Sequence, residues 1–378
     1  MGLKRIGAVF AAVLLLLGFV MWPVVRAHLQ AIAILKLVGG QPVPSLLSAV
    51  IQEPVESKEI EFPAGGARVR ARIYLPRKRT HAPALVVLHG VHHLGMNEPR
   101  LMSFATAMAS CGLQVLTPEL PNIKDYHIDA DSARTIADST QWFASWTGGP
   151  VGVMGLSFSG GLALVAAANP MYEPSFKFVV AIGSQDEMTR VAQFYLTGRE
   201  LRPDGTVEEL SPHEYGALVL EYEHLDDFVP ASDLAAVRAV LREHLYENKQ
   251  AELGAMNKAT VLQRAEAVAL MDTNSPKTRA MLATAEIMRR KEMDGLSPHG
   301  ILKTMTTPVF LLHGEADNII PSAETLWMTH ELPNTTLRAA LVSPVLSHLD
   351  LDGAKPRVWD EFRLVHFFAL VMQAAERN

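Results

Sequence analysis

The chain has one cysteine, Cys111, among 378 residues, which excludes an internal disulfide and any cysteine-based metal site. It is also poor in charge. Asp, Glu, Lys and Arg make up 20% of the residues, and the formal net charge of -6 comes from acidic and basic groups mixed along the chain. No basic tract able to neutralise phosphates is present, so a nucleic-acid partner is not expected. Internal repeats and low-complexity tracts are missing too. Apolar residues, by contrast, are abundant at 49%, enough to exclude a disordered chain and to furnish a large buried sheet. The length exceeds one compact core, so a core with an insertion is expected.

The amino terminus is distinct. Lys4 and Arg5 precede an uncharged apolar run from Ile6 to Val25. A helix of about twenty residues rising ~1.5 Å each covers ~30 Å, the thickness of bilayer hydrocarbon. Residues 1–30 are therefore expected to hold a single membrane anchor, with everything after Arg26 on the non-cytoplasmic side. The alternative is a cleaved signal peptide and a secreted protein. The run exceeds the ~7–15 apolar residues usual in such signals, and its end, Trp22-Pro23-Val24-Val25-Arg26, suits cleavage poorly; Ala31-Ile32-Ala33 offers a late site. Residues 31–58 are expected to be a linker or amphipathic segment, lying on the bilayer surface or packing on the domain.

From Glu59 the pattern becomes short apolar runs separated by helical periodicity, which predicts alternating strands and helices. Ala67–Leu75 alternates polar and apolar residues like a half-exposed edge strand and ends at Pro76. Ala84–Leu88, Leu113–Leu116, Val151–Met154 and Phe178–Ile182 are compact and apolar, as parallel strands covered on both faces must be. Helices are predicted over Arg100–Ala109, Asp131–Trp146 and Gly161–Ala168. The alternation then stops. Residues 186–302 are rich in Ala, Leu, Glu, Arg and Met, with amphipathic helices expected over Ala231–Glu247 and Lys277–Met293 and no strand of comparable quality. It resumes with a strand at Pro308–Leu312, a helix near Ala323–Glu331, a strand near Thr336–Leu341 and a closing helix over Pro356–Ala375. This predicts a core of residues 59–185 and 303–378, interrupted by a helical cap over 186–302.

Pro150–Leu164 reads PVGVMGLSFSGGLAL, a buried strand entering Gly155-Leu156-Ser157-Phe158-Ser159-Gly160-Gly161 and then an apolar helix. A sharp strand-to-helix turn flanked by small residues lifts a serine hydroxyl above the sheet and aims a helix N-terminus at developing negative charge. Ser157 is the expected nucleophile, with Gly155 and Ser159 as flanking elbow residues. Ser159 stands where G-x-S-x-G has its second glycine, which opens a second register centred on Ser159. A helix N-cap without chemistry is the plain alternative.

With these motifs, the chain from Glu59 onward resembles the α/β-hydrolases. The resemblance implies a mostly parallel sheet with helices on both faces, and it assigns roles to further residues. His89-Gly90, ending the strand Val86–Gly90, resembles the oxyanion loop, which would make the backbone N–H groups of Val91 and Phe158 the oxyanion donors. No glycine run follows Gly90. Asp317, in the turn after PVFLLHG, takes the place of the acid that holds the imidazole in its tautomer, with Asp186 in reserve. His348, after the next strand, takes the place of the general base. His92 and His93 read as loop residues rather than metal ligands. A serine at the elbow implies acyl transfer, so a serine esterase or lipase-like carboxylic-ester hydrolase acting on a small-molecule or lipid-like ester is expected. A peptidase or acyltransferase would use the same triad, and a silent hydrolase fold could serve only for binding. No metal or organic cofactor is implied by any motif.

Overall fold

The computed structural model describes residues 3–64, 66–79, 81–346 and 357–377, with side chains from Val20 onward. Its strands are β1 (Val55–Ala64), β2 (Ala67–Pro76), β3 (Ala84–Leu88), β4 (Gln114–Pro118), β5 (Val151–Leu156), β6 (Phe176–Ile182), β7 (Arg199–Leu201), β8 (Val207–Glu209), β9 (Val309–Gly314) and β10 (Leu337–Ser343). Eight of them form one sheet in the order β1-β2-β4-β3-β5-β6-β9-β10, and β7 with β8 makes a separate ribbon. β2 runs antiparallel to both β1 and β4, and the remaining pairs are parallel. The inner parallel strands β3, β4, β5, β6 and β9 are buried on both faces because successive side chains point to opposite cores, as where Leu85 and Val87 join one cluster and Val86 and Leu88 the other, whereas the edge strand β10 is partly exposed.

β2 is not the edge of the sheet, as its alternation predicts; β1 covers it. The β1 sequence VESKEIEFPA carries charge and a proline, which hides it among strands but suits an outer edge, where charge discourages pairing with other chains. The two strands pair Glu59 with Arg72 and Glu61 with Arg70 across the ladder.

The helices are α1 (Leu3–Val38), α2 (Ser45–Ile51), α3 (Pro99–Ser110), α4 (Pro121–Lys124), α5 (Ala130–Thr147), α6 (Phe158–Ala167), α7 (Met188–Thr197), α8 (Glu214–Glu223), α9 (Leu234–Leu245), α10 (Lys249–Lys258), α11 (Val261–Met271), α12 (Pro276–Gly295), α13 (Ala323–Glu331) and α14 (Val358–Glu376). Buried residues of α3 and α14 join the cluster on one face of the sheet, and those of α5 and α6 the cluster on the other. Local chemistry sets their ends. Asp129 caps α5 by accepting from Ser132 N at 2.8 Å, and Gly148 closes it in the left-handed conformation. Between β6 and β9 lie α7 to α12 and the β7/β8 ribbon, which the helical composition of that stretch concealed.

α1 is one helix from Leu3 to Val38 with Pro23 inside it, so residues 31–38 continue the apolar segment rather than linking it to the domain. Its C-terminal half is docked. Ala27, Ala31, Ala33 and Ile34 are buried in the same core as α3 and α14. Gln30 is fully buried and donates to Cys111 O at 2.7 Å, Arg26 pairs with Glu376 at 3.1 Å, and His28 meets His366 at 3.1 Å. Among the described residues Val20–Val38 has the length and hydropathy to cross a membrane, yet from Ala27 onward one face of that stretch belongs to the protein core.

Candidate active site

Ser157 joins β5 to α6 with φ 55° and ψ -137°, a conformation that costs a side-chain-bearing residue ~1–3 kcal/mol and persists only where neighbours enforce it. The enforcement is visible. Ser157 N donates to Ile182 O at 2.8 Å, while Ser157 O accepts from Gly160 N at 2.9 Å and from the Ser184 hydroxyl at 2.8 Å. Gly155 and Gly160 let the two limbs of the turn touch: a Cβ on Gly155 would lie 2.4 Å from Gly160 Cα. The close-approach glycine is thus Gly160, one residue beyond the expected position, which leaves Ser159 another task. Its buried hydroxyl donates to His89 O at 2.6 Å, tying α6 to the loop after β3.

His89 is itself buried and holds that loop. Its Nδ1 lies 2.8 Å from Gly90 O, which only accepts, so the proton is on Nδ1; Nε2 then accepts from Leu120 N at 2.9 Å. Burial pushes its pKa below the usual imidazole range, consistent with this neutral form. Val91 follows, its carbonyl accepting from the hydroxyl of Tyr215 on α8 at 2.8 Å. The N–H groups of Val91 and of Phe158, the first residue of α6, have no hydrogen-bond partner among the described residues. His89, Gly90, Val91, Ser157 and Phe158 line one cavity of about 510 Å³, within the ~300–1,000 Å³ typical of small-molecule sites.

Asp317 lies in the turn after β9, fully buried. One carboxylate oxygen accepts from Ile319 N at 2.9 Å and Ile320 N at 3.0 Å, and the other lies 3.4 Å from His313 Nε2. His313 is bound on both nitrogens, to Thr325 Oγ1 and Ile320 O at 2.8 Å each, so it acts as a buried brace. Tyr195 of α7 is close by; burial and then the Asp317 charge hold its phenol protonated. His348 lies outside the described residues.

Asp186 belongs to a different cluster. Its carboxylate pairs with Arg190 at 2.7 Å and meets His299 Nδ1 at 3.3 Å, while Arg190 also binds Glu324 at 2.6 Å and Glu187 at 3.0 Å. Burial and the Glu324 charge push Asp186 up to about 7. His299 N also donates to Asp186 O at 3.0 Å, and Met188 N to Ser297 Oγ at 2.9 Å, so the chain entering the insertion is clamped to the chain leaving it. Arg190 stands four residues from Asp186, a local spacing, whereas Glu324 lies 138 residues away and joins them only through the fold. His92 and His93 stack on each other, with ring centroids 4.6 Å apart, and His93 stacks on Tyr246 of the insertion at 4.5 Å.

No family model matches the chain, and no curated protein matches it. Among solved structures it is similar to an esterase from the archaeon Pyrobaculum calidifontis, at 18% identity over 92% of this chain and 88% of that one, with a TM-score of 0.47. It is also similar to the 2-hydroxy-6-oxo-6-phenylhexa-2,4-dienoate hydrolase of Rhodococcus sp. strain RHA1, at 17% identity over 76% and 91%, with a TM-score of 0.39. A Pyrococcus horikoshii acylaminoacyl peptidase matches 80% of this chain at 12% identity and a TM-score of 0.45, and the match spans 39% of that longer chain. The strand order and the single reversed strand, rather than these likenesses, define the fold.

Proposed function

From the α/β-hydrolase fold of this chain, we propose a serine hydrolase that cleaves carboxylic esters through an acyl-enzyme. The observation that carries the proposal is the enforced positive φ of Ser157 at the start of α6, on the wall of a ligand-sized cavity. Strain of this kind at a hydroxyl-bearing residue serves to present the hydroxyl. In the proposed reaction Ser157 Oγ attacks the ester carbonyl, and His348 takes its proton. The backbone N–H groups of Val91 and Phe158 stabilise the oxyanion. Collapse breaks the ester C–O bond, and the alcohol leaves with the proton from His348. Water, deprotonated by the same imidazole, then releases the carboxylate. Asp317, fixed by two backbone donors, orients the imidazole and stabilises the imidazolium formed when it takes the serine proton. Residues 186–302 form a helical cap over the site, supplying Tyr215 to the cavity and to Val91 O.

The membrane anchor falls in this reading on the stretch before Arg26, with the catalytic domain on the non-cytoplasmic side. Its support is the docking of everything from Ala27 onward. Ala31 and Ala33, the late cleavage site, are buried mid-helix, and cutting there would strip the core of Ala27 and Ala31.

The test is labelling of the full chain by a fluorophosphonate, with loss of label in Ser157→Ala. A folded protein that takes no label is a silent hydrolase fold.

A further inference from the structure

The cavity beside Ser157 has two unlike walls. On one side stand His92, His93, His213, Tyr215 and Glu247, from the loop after β3 and from the insertion. The other is largely apolar, with Leu101 and Phe104 of α3, Phe368 of α14, Leu346, and Leu35 and Val38 from the last turns of α1 packed in one cluster, while Glu98 and Arg100 at the start of α3 also line the cavity. The N-terminal helix therefore reaches the cavity that holds the proposed nucleophile.

Its position there is fixed. Gln30, one turn earlier, is buried and bonded to Cys111 O at the end of α3, and Ala31, Ala33 and Ile34 are sealed against α3 and α14. Phe104 and Phe368 meet edge-on with centroids 6.4 Å apart, closing the wall between the two helices. At ~1.5 Å per residue, Leu35 stands roughly 20 Å along α1 from Trp22, so one continuous helix links the apolar N-terminal run to the cavity.

We propose that this wall is the subsite for the acyl chain of a hydrophobic ester, and that Leu35 and Val38 set the chain length accepted. This rests on the reading of Ser157 as the acylated residue. An ester with a polar alcohol and an apolar acyl group matches the two walls, because each transferred methylene gains only where its surroundings are apolar, while the departing alcohol needs hydrogen-bonding partners.

The experiment uses the full chain in lipid nanodiscs with p-nitrophenyl esters from acetate to decanoate. kcat/KM is expected to rise about fourfold per added methylene, the equivalent of ~0.8 kcal/mol, until the cavity is full. In Leu35→Trp the ratio of decanoate to acetate kcat/KM is expected to fall more than tenfold. A second readout is independent of hydrolysis. Cys111 is buried with its thiol pushed up to about 12, so in Leu35→Cys the introduced thiol is the one that reacts with N-ethylmaleimide, and decanoate should slow that reaction while acetate does not. If esters are cleaved but Leu35→Trp keeps the wild-type chain-length profile and decanoate gives no protection, the subsite is wrong and the hydrolase reading stands. Protection without hydrolysis or fluorophosphonate labelling leaves the apolar subsite and overturns the hydrolase.

Discussion

The hydroxyl of Ser159 donates to the carbonyl of His89 across 2.6 Å, joining the helix that begins at Phe158 to the loop that carries Val91. The two proposed oxyanion donors stand on either side of this bond, so their separation depends on it. Ser159→Ala leaves a buried carbonyl unpaired, at a cost of ~1–3 kcal/mol. It is expected to label with fluorophosphonate more slowly than wild type, with kcat on esters lowered roughly tenfold. Ser157→Ala should not label at all. Equal labelling of Ser159→Ala and wild type would remove the bond from any part in the site.

Asp317→Asn separates charge from scaffold. The amide keeps one oxygen for the N–H groups of Ile319 and Ile320, so the turn should survive. The lost negative charge should lower kcat by ~10³-fold or more. Unchanged thermal stability together with near-normal turnover would move the acid elsewhere.

Stability should fall with rising pH because of Glu221 on α8. It is fully buried, neither carboxylate oxygen has a partner among the described residues, and burial raises its pKa to about 9 from 4.5. The folded chain keeps this proton and the unfolded chain sheds it near 4.5. The group's contribution is therefore complete below that pH and declines steadily up to about 9. Glu223, raised to about 8, acts in the same direction. Glu221→Gln should flatten the dependence of Tm on pH between 5 and 9, and Glu221→Leu should raise Tm most at the alkaline end. Parallel curves for Glu221→Gln and wild type would contradict the assignment.

Arg190→Met deprives Asp186 and Glu324, both fully buried, of their shared cation. Removing one member of a buried pair typically costs ~3–5 kcal/mol, here on the order of 10 °C in Tm. Since the remaining carboxyls must then hold protons, the deficit should be larger at pH 8 than at pH 6. A loss of under 2 °C at both would show that the clamp contributes little.

Carbonate extraction tests the anchor. Full-length protein should stay in the membrane pellet at alkaline pH, whereas release into the supernatant would leave only peripheral attachment.

The core strands and the sharp turn at Ser157 were legible because each is local: a buried strand is a short apolar run, and a sharp turn before a helix needs small residues. The role of Ser159 was not, since its partner His89 lies 70 residues away and no spacing rule links them. β1 was missed because an outer strand armed with charge resembles a loop in sequence. The docking of α1 was concealed for the opposite reason: alanines and isoleucine that pack on a core read the same as those that face lipid, and only the buried Gln30 distinguishes them.

For a water-soluble preparation, the unbroken helix dictates where the chain can be trimmed. Starting just ahead of Arg26 discards the apolar N-terminal run and preserves the Gln30 latch. Starting at Gly39 would instead uncover the greasy trough between α3 and α14, and the resulting protein should clump rather than dissolve.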